Sequence, residues 1–129
     1  MPKSKPSTIK LQVFKGREAK LNKAIFHTLA LKGPQTIYDI HKEAKAQRGL
    51  RDIRYASVNK RIRPLEESGY VRKVGAKRTK AGFEASVYEL QVKAYLSMLL
   101  DTIDIESLIS QSDEGTLLTI LASLVDARL

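Results

Sequence analysis

Apolar residues along the first hundred positions recur at two spacings, and the switch between them lays out the elements. Leu21, Ala24, Ile25, Thr28 and Leu29 return every three or four residues, the signature of one buried stripe on a helix that starts near Arg17. Lys32-Gly33-Pro34 ends that helix, because glycine terminates readily and proline cannot continue. A second helix is predicted from about Ile37 to Ala46, with Ile37, Ile40, His41 and Ala44 on one face. Thr36 stands where an N-cap belongs, and Asp39 three residues later is a short-armed version of the capping box. Residues 47–54, QRGLRDIR, make the turn to a third helix, about Tyr55 to Ser68, which Gly69 closes.

Val58, Ile62 and Leu65 fall on the inner side of this third helix. At about 100° per residue, its opposite side centres on Ala56, Ser57, Lys60 and Pro64, flanked by Asn59, Arg61 and Arg63. Pro64 conflicts with a regular helix, since it lacks an N–H and crowds the preceding turn. A kink at residues 60–64 and a restart with Pro64 in the first turn both fit. The unbroken apolar spacing favours the kink.

The period then falls to two. Tyr70 to Val74 reads as a strand, residues 75–82 as an eight-residue tip bounded by glycines, and Phe83 to Leu90 as the returning strand of a hairpin. Tyr88 and Leu90 share a face that can close onto the helices. Near the start, Ile9 to Val13 alternates as a short strand would, and Gly16 breaks the pattern. Past Gln91, VKAYLSMLL (92–100) is apolar on most sides and predicts a buried helix, with Tyr95 and Met98 as core residues. Ile103, Ile105, Leu108 and Ile109 fit a short amphipathic helix. After a break at Asp113-Glu114-Gly115, Leu117, Leu118, Leu121, Leu124 and Val125 fit another. The predicted class is mainly α with a small β-hairpin. It divides into a basic arm (1–16), a domain of three helices and a hairpin (17–91), and a helical extension (92–129).

Charge changes the picture, because it is unevenly placed. The 129 residues carry a formal net charge of +9. Residues 1–100 hold 22 Lys and Arg against eight Asp and Glu, a net of +14, whereas residues 101–129 hold one Arg against six acids, a net of −5. Such a basic body points to a polyanionic partner, and the acidic end to a different task. Chemistry of other kinds is excluded or unsupported. There is no cysteine, hence no disulfide or thiolate metal site. His27 and His41 lie on separate helices without paired carboxylates, so core or surface roles are expected of both and no metal or other cofactor. Phosphate-loop, zinc-protease and nucleophile-elbow signatures are absent, which argues against an enzyme. The first ten residues, MPKSKPSTIK, contain no signal-peptide core, and no run approaches the roughly 18 apolar residues of a membrane span. A cytoplasmic protein is expected.

The order of three helices followed at once by a hairpin with a basic tip resembles the winged helix-turn-helix family of prokaryotic and archaeal DNA-binding transcriptional regulators. The resemblance covers about residues 17–90. It is carried by S57-V-N-K-R-I-R-P-L-E-E-S-G-Y-V71, and most closely by the junction Leu65-Glu66-Glu67-Ser68-Gly69-Tyr70-Val71. Pro64 departs from the family's pattern. The resemblance implies that the third helix is the recognition helix and the hairpin is the wing, with double-stranded DNA as the partner.

The residue types agree with that reading. A major groove about 12 Å wide admits one helix, and Arg, Lys and Asn can meet guanine, phosphate and adenine there. Candidate DNA contacts are Arg48, Arg51 and Arg54 as phosphate clamps; Tyr55, Ser57, Asn59, Lys60, Arg61 and Arg63 on the helix; and Arg72, Lys73, Lys77, Arg78 and Lys80 on the hairpin. Tyr55 also suits the edge of the core, Asn59 a local backbone partner, and the tip cations a role in solubility. Leu108, Ile109, Leu117, Leu121 and Leu124 are candidates for a homodimer contact through the C-terminal helices, or for packing against their own domain. Two other functional classes remain open. One is a non-specific chromosome-coating or RNA-binding protein, and the other is a winged-helix protein-interaction module, which a cationic outer helix face disfavours.

Overall fold

Six helices and three short strands, in the order αβααββααα, account for most of residues 11–127, the part of the chain that the computed structural model describes. Gln12–Phe14 form a single 3-10 turn that places Val13 and Phe14 in the core. The strand predicted at residues 9–13 is therefore corrected over its last residues; its first two lie outside the described part. Helix α1 (Ala19–Lys32) buries the predicted stripe and also Phe26. It ends at Gly33, whose φ of 78° lies in the left-handed region that side chains avoid.

Strand β1 (Gln35–Thr36) is only two residues long, and helix α2 (Ile37–Lys45) follows directly. The Thr36 hydroxyl accepts a hydrogen bond from the Asp39 amide at 3.2 Å, so the predicted cap is made. Helix α3 (Tyr55–Glu67) is one continuous element through Pro64, which removes the restart alternative. Pro64 brings no N–H to the carbonyl of Lys60, and Lys60 stands at an exposed position where water can serve instead. After α3, the Tyr70 amide reaches back to the Leu65 carbonyl and Gly69 takes a φ of 83°, turning the chain into β2 (Val71–Arg78).

Strand β3 (Glu84–Leu90) returns antiparallel, and the sheet has three strands in the order β1-β3-β2 rather than the two of a bare hairpin. Gln35 and Thr36 pair with Tyr88 and Val87, which ties the α1–α2 connection to the sheet. The first hairpin strand also runs further than the sequence suggests, while the second starts one residue later. Arg78 still pairs with Glu84, so the turn shrinks to residues 79–83, closed by the Thr79 amide on the Phe83 carbonyl at 2.7 Å. Register shifts between Lys73, opposite Tyr88, and Gly75, opposite Val87, leaving Val74 as the extra residue of a bulge.

The core is continuous. Leu21, Ile25, Phe26 and Leu29 of α1 meet Ile40 of α2, Val58, Ile62 and Leu65 of α3, and Val71 and Leu90 of the sheet. Phe26 stacks edge-on to Phe14 with centroids 5.7 Å apart and lies 5.5 Å from Tyr70. A small satellite of Ala24, Ala44 and Leu50 joins α1 to α2 and the turn beyond it.

Helix α4 (Val92–Thr102) departs from expectation. It buries only Ala94 and Ser97 and packs Met98 against the core, while Val92, Tyr95, Leu96 and Leu99 are exposed, Val92 by 81%. Small residues, not the apolar run, make its inner face. Its position is held by Lys93, whose ammonium donates to the Ser68 carbonyl at 2.6 Å and sits 4.6 Å from the Tyr70 ring centre. Asp101 pairs with Lys23 of α1 at 3.2 Å. Helices α5 (Ile105–Gln111) and α6 (Glu114–Ala127) follow, and α5 buries no residue. The predicted break at Asp113 is a helix start: its carboxylate accepts from the Thr116 amide at 2.7 Å. No helix among the described residues is long and apolar enough to cross a membrane.

Two outcomes are expected from this packing. Ile62→Ala should cost about 2–5 kcal/mol in urea unfolding because it empties a fully enclosed site, while Leu31→Ala, at a position 80% exposed, should change stability by less than about 0.5 kcal/mol. The Thr116 backbone amide, and then its hydroxyl, hold the Asp113 carboxyl below its ordinary value of 3.8. A depressed folded value means that the cap is fully present above pH 3.8 and is lost as pH falls through the lower one. Far-UV circular dichroism should therefore show an acid-induced loss of helicity that is smaller in Asp113→Asn, whose cap does not titrate.

Candidate nucleic-acid interface

The rotation of α3 is set by its inner row. Val58, Ile62 and Leu65 are 0%, 1% and 1% exposed, so the outer row must be Ala56, Lys60 and Arg63, with Glu67 in the last turn, all exposed. The predicted set does not stay together around this helix. Asn59 and Tyr55 turn to one flank, and Ser57 and Arg61, both half-buried, turn to the other. Tyr55 is 46% exposed and meets the His41 ring edge-on at 5.9 Å. His41 in turn places Nε2 2.8 Å from the Ile53 carbonyl, pinning the segment before α3 to α2. His27 is exposed, and the described residues hold no cluster of three His, Cys, Asp or Glu suited to a metal.

Arg48, Arg51 and Arg54 are exposed in the α2–α3 connection, which Gly49 (φ 85°) and Leu50 shape. Leu50 is the anchor, buried between Ala24 and Ala44. The arginines are thus carried on a turn held from below rather than on a loose loop. None of them, nor Lys60 or Arg63, pairs with a carboxylate among the described residues, where the ion pairs are Lys23–Asp101 and Arg72–Glu89.

On the hairpin, all five predicted cations are exposed; alternation along β2 distributes its four over both faces, and the bulge sets which of Lys77 and Arg78 falls on which. Paired residues of neighbouring strands share a face. Lys73 opposite Tyr88 and Arg78 opposite Glu84 therefore lie on the face of Val71 and Leu90. Arg72 opposite Glu89 and Lys77 opposite Ala85 lie on the other. Arg72 is engaged there by the Glu89 carboxylate, which offsets its charge. Lys80 sits in the turn itself.

Residues that the sequence reading passed over complete the surface. Arg17, Lys20 and Lys23, from the start of α1, line a cleft together with Ser57, Lys60 and Arg61 of α3. The signal was present as four cations in nine residues, K15-G-R-E-A-K-L-N-K23, but it lies far in sequence from α3 and on the polar side of α1. Of the dimer candidates, Leu108, Ile109, Leu121 and Leu124 are exposed and Leu117 is half-buried.

Neither a protein-family model nor a curated protein matches the chain. Among solved structures, it is similar to the crystal structure of a protein from Thermoplasma acidophilum provisionally described as a transcriptional regulator. The identity is 18%, the match spans 70% of this chain and 94% of that one, and the TM-score is 0.46.

Proposed function

We propose that this protein is a DNA-binding transcriptional regulator of the winged helix-turn-helix type, reading the major groove with α3 and resting the β2–β3 hairpin on the flanking backbone or minor groove. The observation that carries the reading is the outer row of α3. Ala56 is small, Lys60 and Arg63 are exposed and unpaired among the described residues, and the buried inner row forbids the helix from turning them away. A helix with its side chains is about 10–12 Å across, which suits a groove about 12 Å wide. Arg48, Arg51 and Arg54 stand at the N-terminal end of the same helix, where backbone phosphates would be met. Lys60 and Arg63 are assigned to bases or phosphates, and Lys77, Arg78 and Lys80 to the flanking strand.

The C-terminal helices are assigned to pairing with a second copy. Leu117, Leu118, Leu121, Leu124 and Val125 make a wide apolar stripe along a 14-residue helix, mostly exposed in the single chain. A two-fold axis lets such a stripe meet itself. Two identical modules on one duplex also gain affinity that one small interface does not supply. The acidic character of this end keeps it off the DNA.

Fluorescence anisotropy on the chain's own upstream region and on random duplex, across about 50–300 mM salt, tests the first assignment. Tighter upstream binding is expected, with losses of about 1–3 kcal/mol for Lys60→Ala or Arg63→Ala where the contact is to a base. Equal affinity with one steep salt slope would instead mark a chromosome coater, and no binding to either duplex would redirect attention to a protein partner. Sedimentation equilibrium tests the second: a dimer is expected that Leu121→Asp with Leu124→Asp converts to a folded monomer. A wild-type monomer at about 100 µM would rule the pairing out.

A further inference from the structure

The cleft between the start of α1, the α2–α3 turn and α3 is more than an extension of the outer row of α3. It is an open groove of about 800 Å³, comparable in size to small-molecule sites, about 300–1,000 Å³. Its floor is apolar, formed in part by the buried Phe14 and Leu21. Its rim is cationic, with Arg17, Lys20, Lys60 and Arg61 against a single acid, Glu18.

Two details describe how this positive charge is placed. Lys20 lies across the cleft with its ammonium over Gly49, so close that a Cβ built at residue 49 would stand 2.7 Å from Nζ. Arg61 has its Nε buried and without a hydrogen-bond partner among the described residues. Nε is closed off from solvent, so an anion in the cleft would meet this guanidinium through its terminal nitrogens. In addition, α1 begins at this cleft without a side-chain cap, so the positive end of its dipole adds to the field.

We infer that this cleft is a seat for a phosphate-bearing anion, held by Arg17, Lys20 and Arg61 and shared at its outer edge with Lys60. The phosphate has two chemical sources, a free phosphorylated small molecule or a backbone phosphate of a bound duplex. The seat itself does not depend on the DNA reading, because its lining is defined without the duplex. If the anion is free, it draws Lys60 away from the groove-reading row, and its binding and that of DNA oppose each other reciprocally.

The test is calorimetric titration of inorganic pyrophosphate into the full chain at a constant ionic strength of about 100 mM, with Arg17→Ala, Lys20→Ala and Lys45→Ala compared. All three positions are exposed, so the fold should survive, and Lys45 lies at the end of α2 outside the cleft. Saturable one-site binding is expected, weakened about tenfold by either cleft variant and unchanged by Lys45→Ala. The same variants are then measured on duplex DNA. If pyrophosphate lowers duplex affinity in the wild type but not in Lys20→Ala, the source is a free anion. If pyrophosphate does not bind but both cleft variants weaken duplex binding more than Lys45→Ala does, the seat takes a backbone phosphate. Should neither pyrophosphate nor duplex distinguish the cleft variants from Lys45→Ala, the inference is overturned. Failure of duplex binding alone, with pyrophosphate still bound, would count against the DNA reading and not against the seat.

Discussion

Everything proposed for the outer surface of α3 depends on the burial of three side chains on its inner one. Val58, Ile62 and Leu65 are enclosed by α1, α2 and the sheet, and a helix so anchored has one rotational setting. Turning it by one residue, about 100°, would expose apolar surface and drag cations into the core, a cost far larger than any single surface contact can return. The packing therefore does for Lys60 and Arg63 what no hydrogen bond to them does: it fixes which way they leave the protein. The same enclosure carries Arg48, Arg51 and Arg54, because Leu50 seats their turn against Ala24 and Ala44.

The parts legible in the sequence are those in which one periodic stripe meets one core. Helices α1 to α3 end at Gly33, Lys45 and Ser68 or within a residue of them, since glycines and caps act locally and need no partner to be recognised. Strand β1 was not legible, because two residues have no period and Gln35–Thr36 become a strand only by meeting Val87 and Tyr88. Helix α4 misled for a related reason. Its composition is apolar on most sides, but composition cannot say which side finds a neighbour, and here Ala94 and Ser97 do. The cleft was hidden by distance along the chain. Lys20 and Arg61 are 41 residues apart in sequence, and only the core that α1, α2 and α3 share brings them to one rim.

The positive body and the acidic end also gain separate physical identities. Lys93 and Asp101 fasten α4 to the domain through Ser68, Tyr70 and Lys23. The fastening is polar and peripheral. Val92, Leu96 and Leu99 of α4 and most apolar residues of α6 remain exposed rather than spent on the core.

The bulge at Val74 gives the hairpin a property that no inventory of its residues contains. Because Val74 is the one residue of β2 without an opposite number, it resets the alternation of everything beyond it. Deleting this uncharged residue would leave net charge and composition of charge unaltered, yet it would exchange the sides from which Lys77 and Arg78 emerge. The electrostatic handedness of the hairpin is thus written in a neutral position. Two chains with the same charged residues in the same order could present opposite faces at the hairpin's outer end.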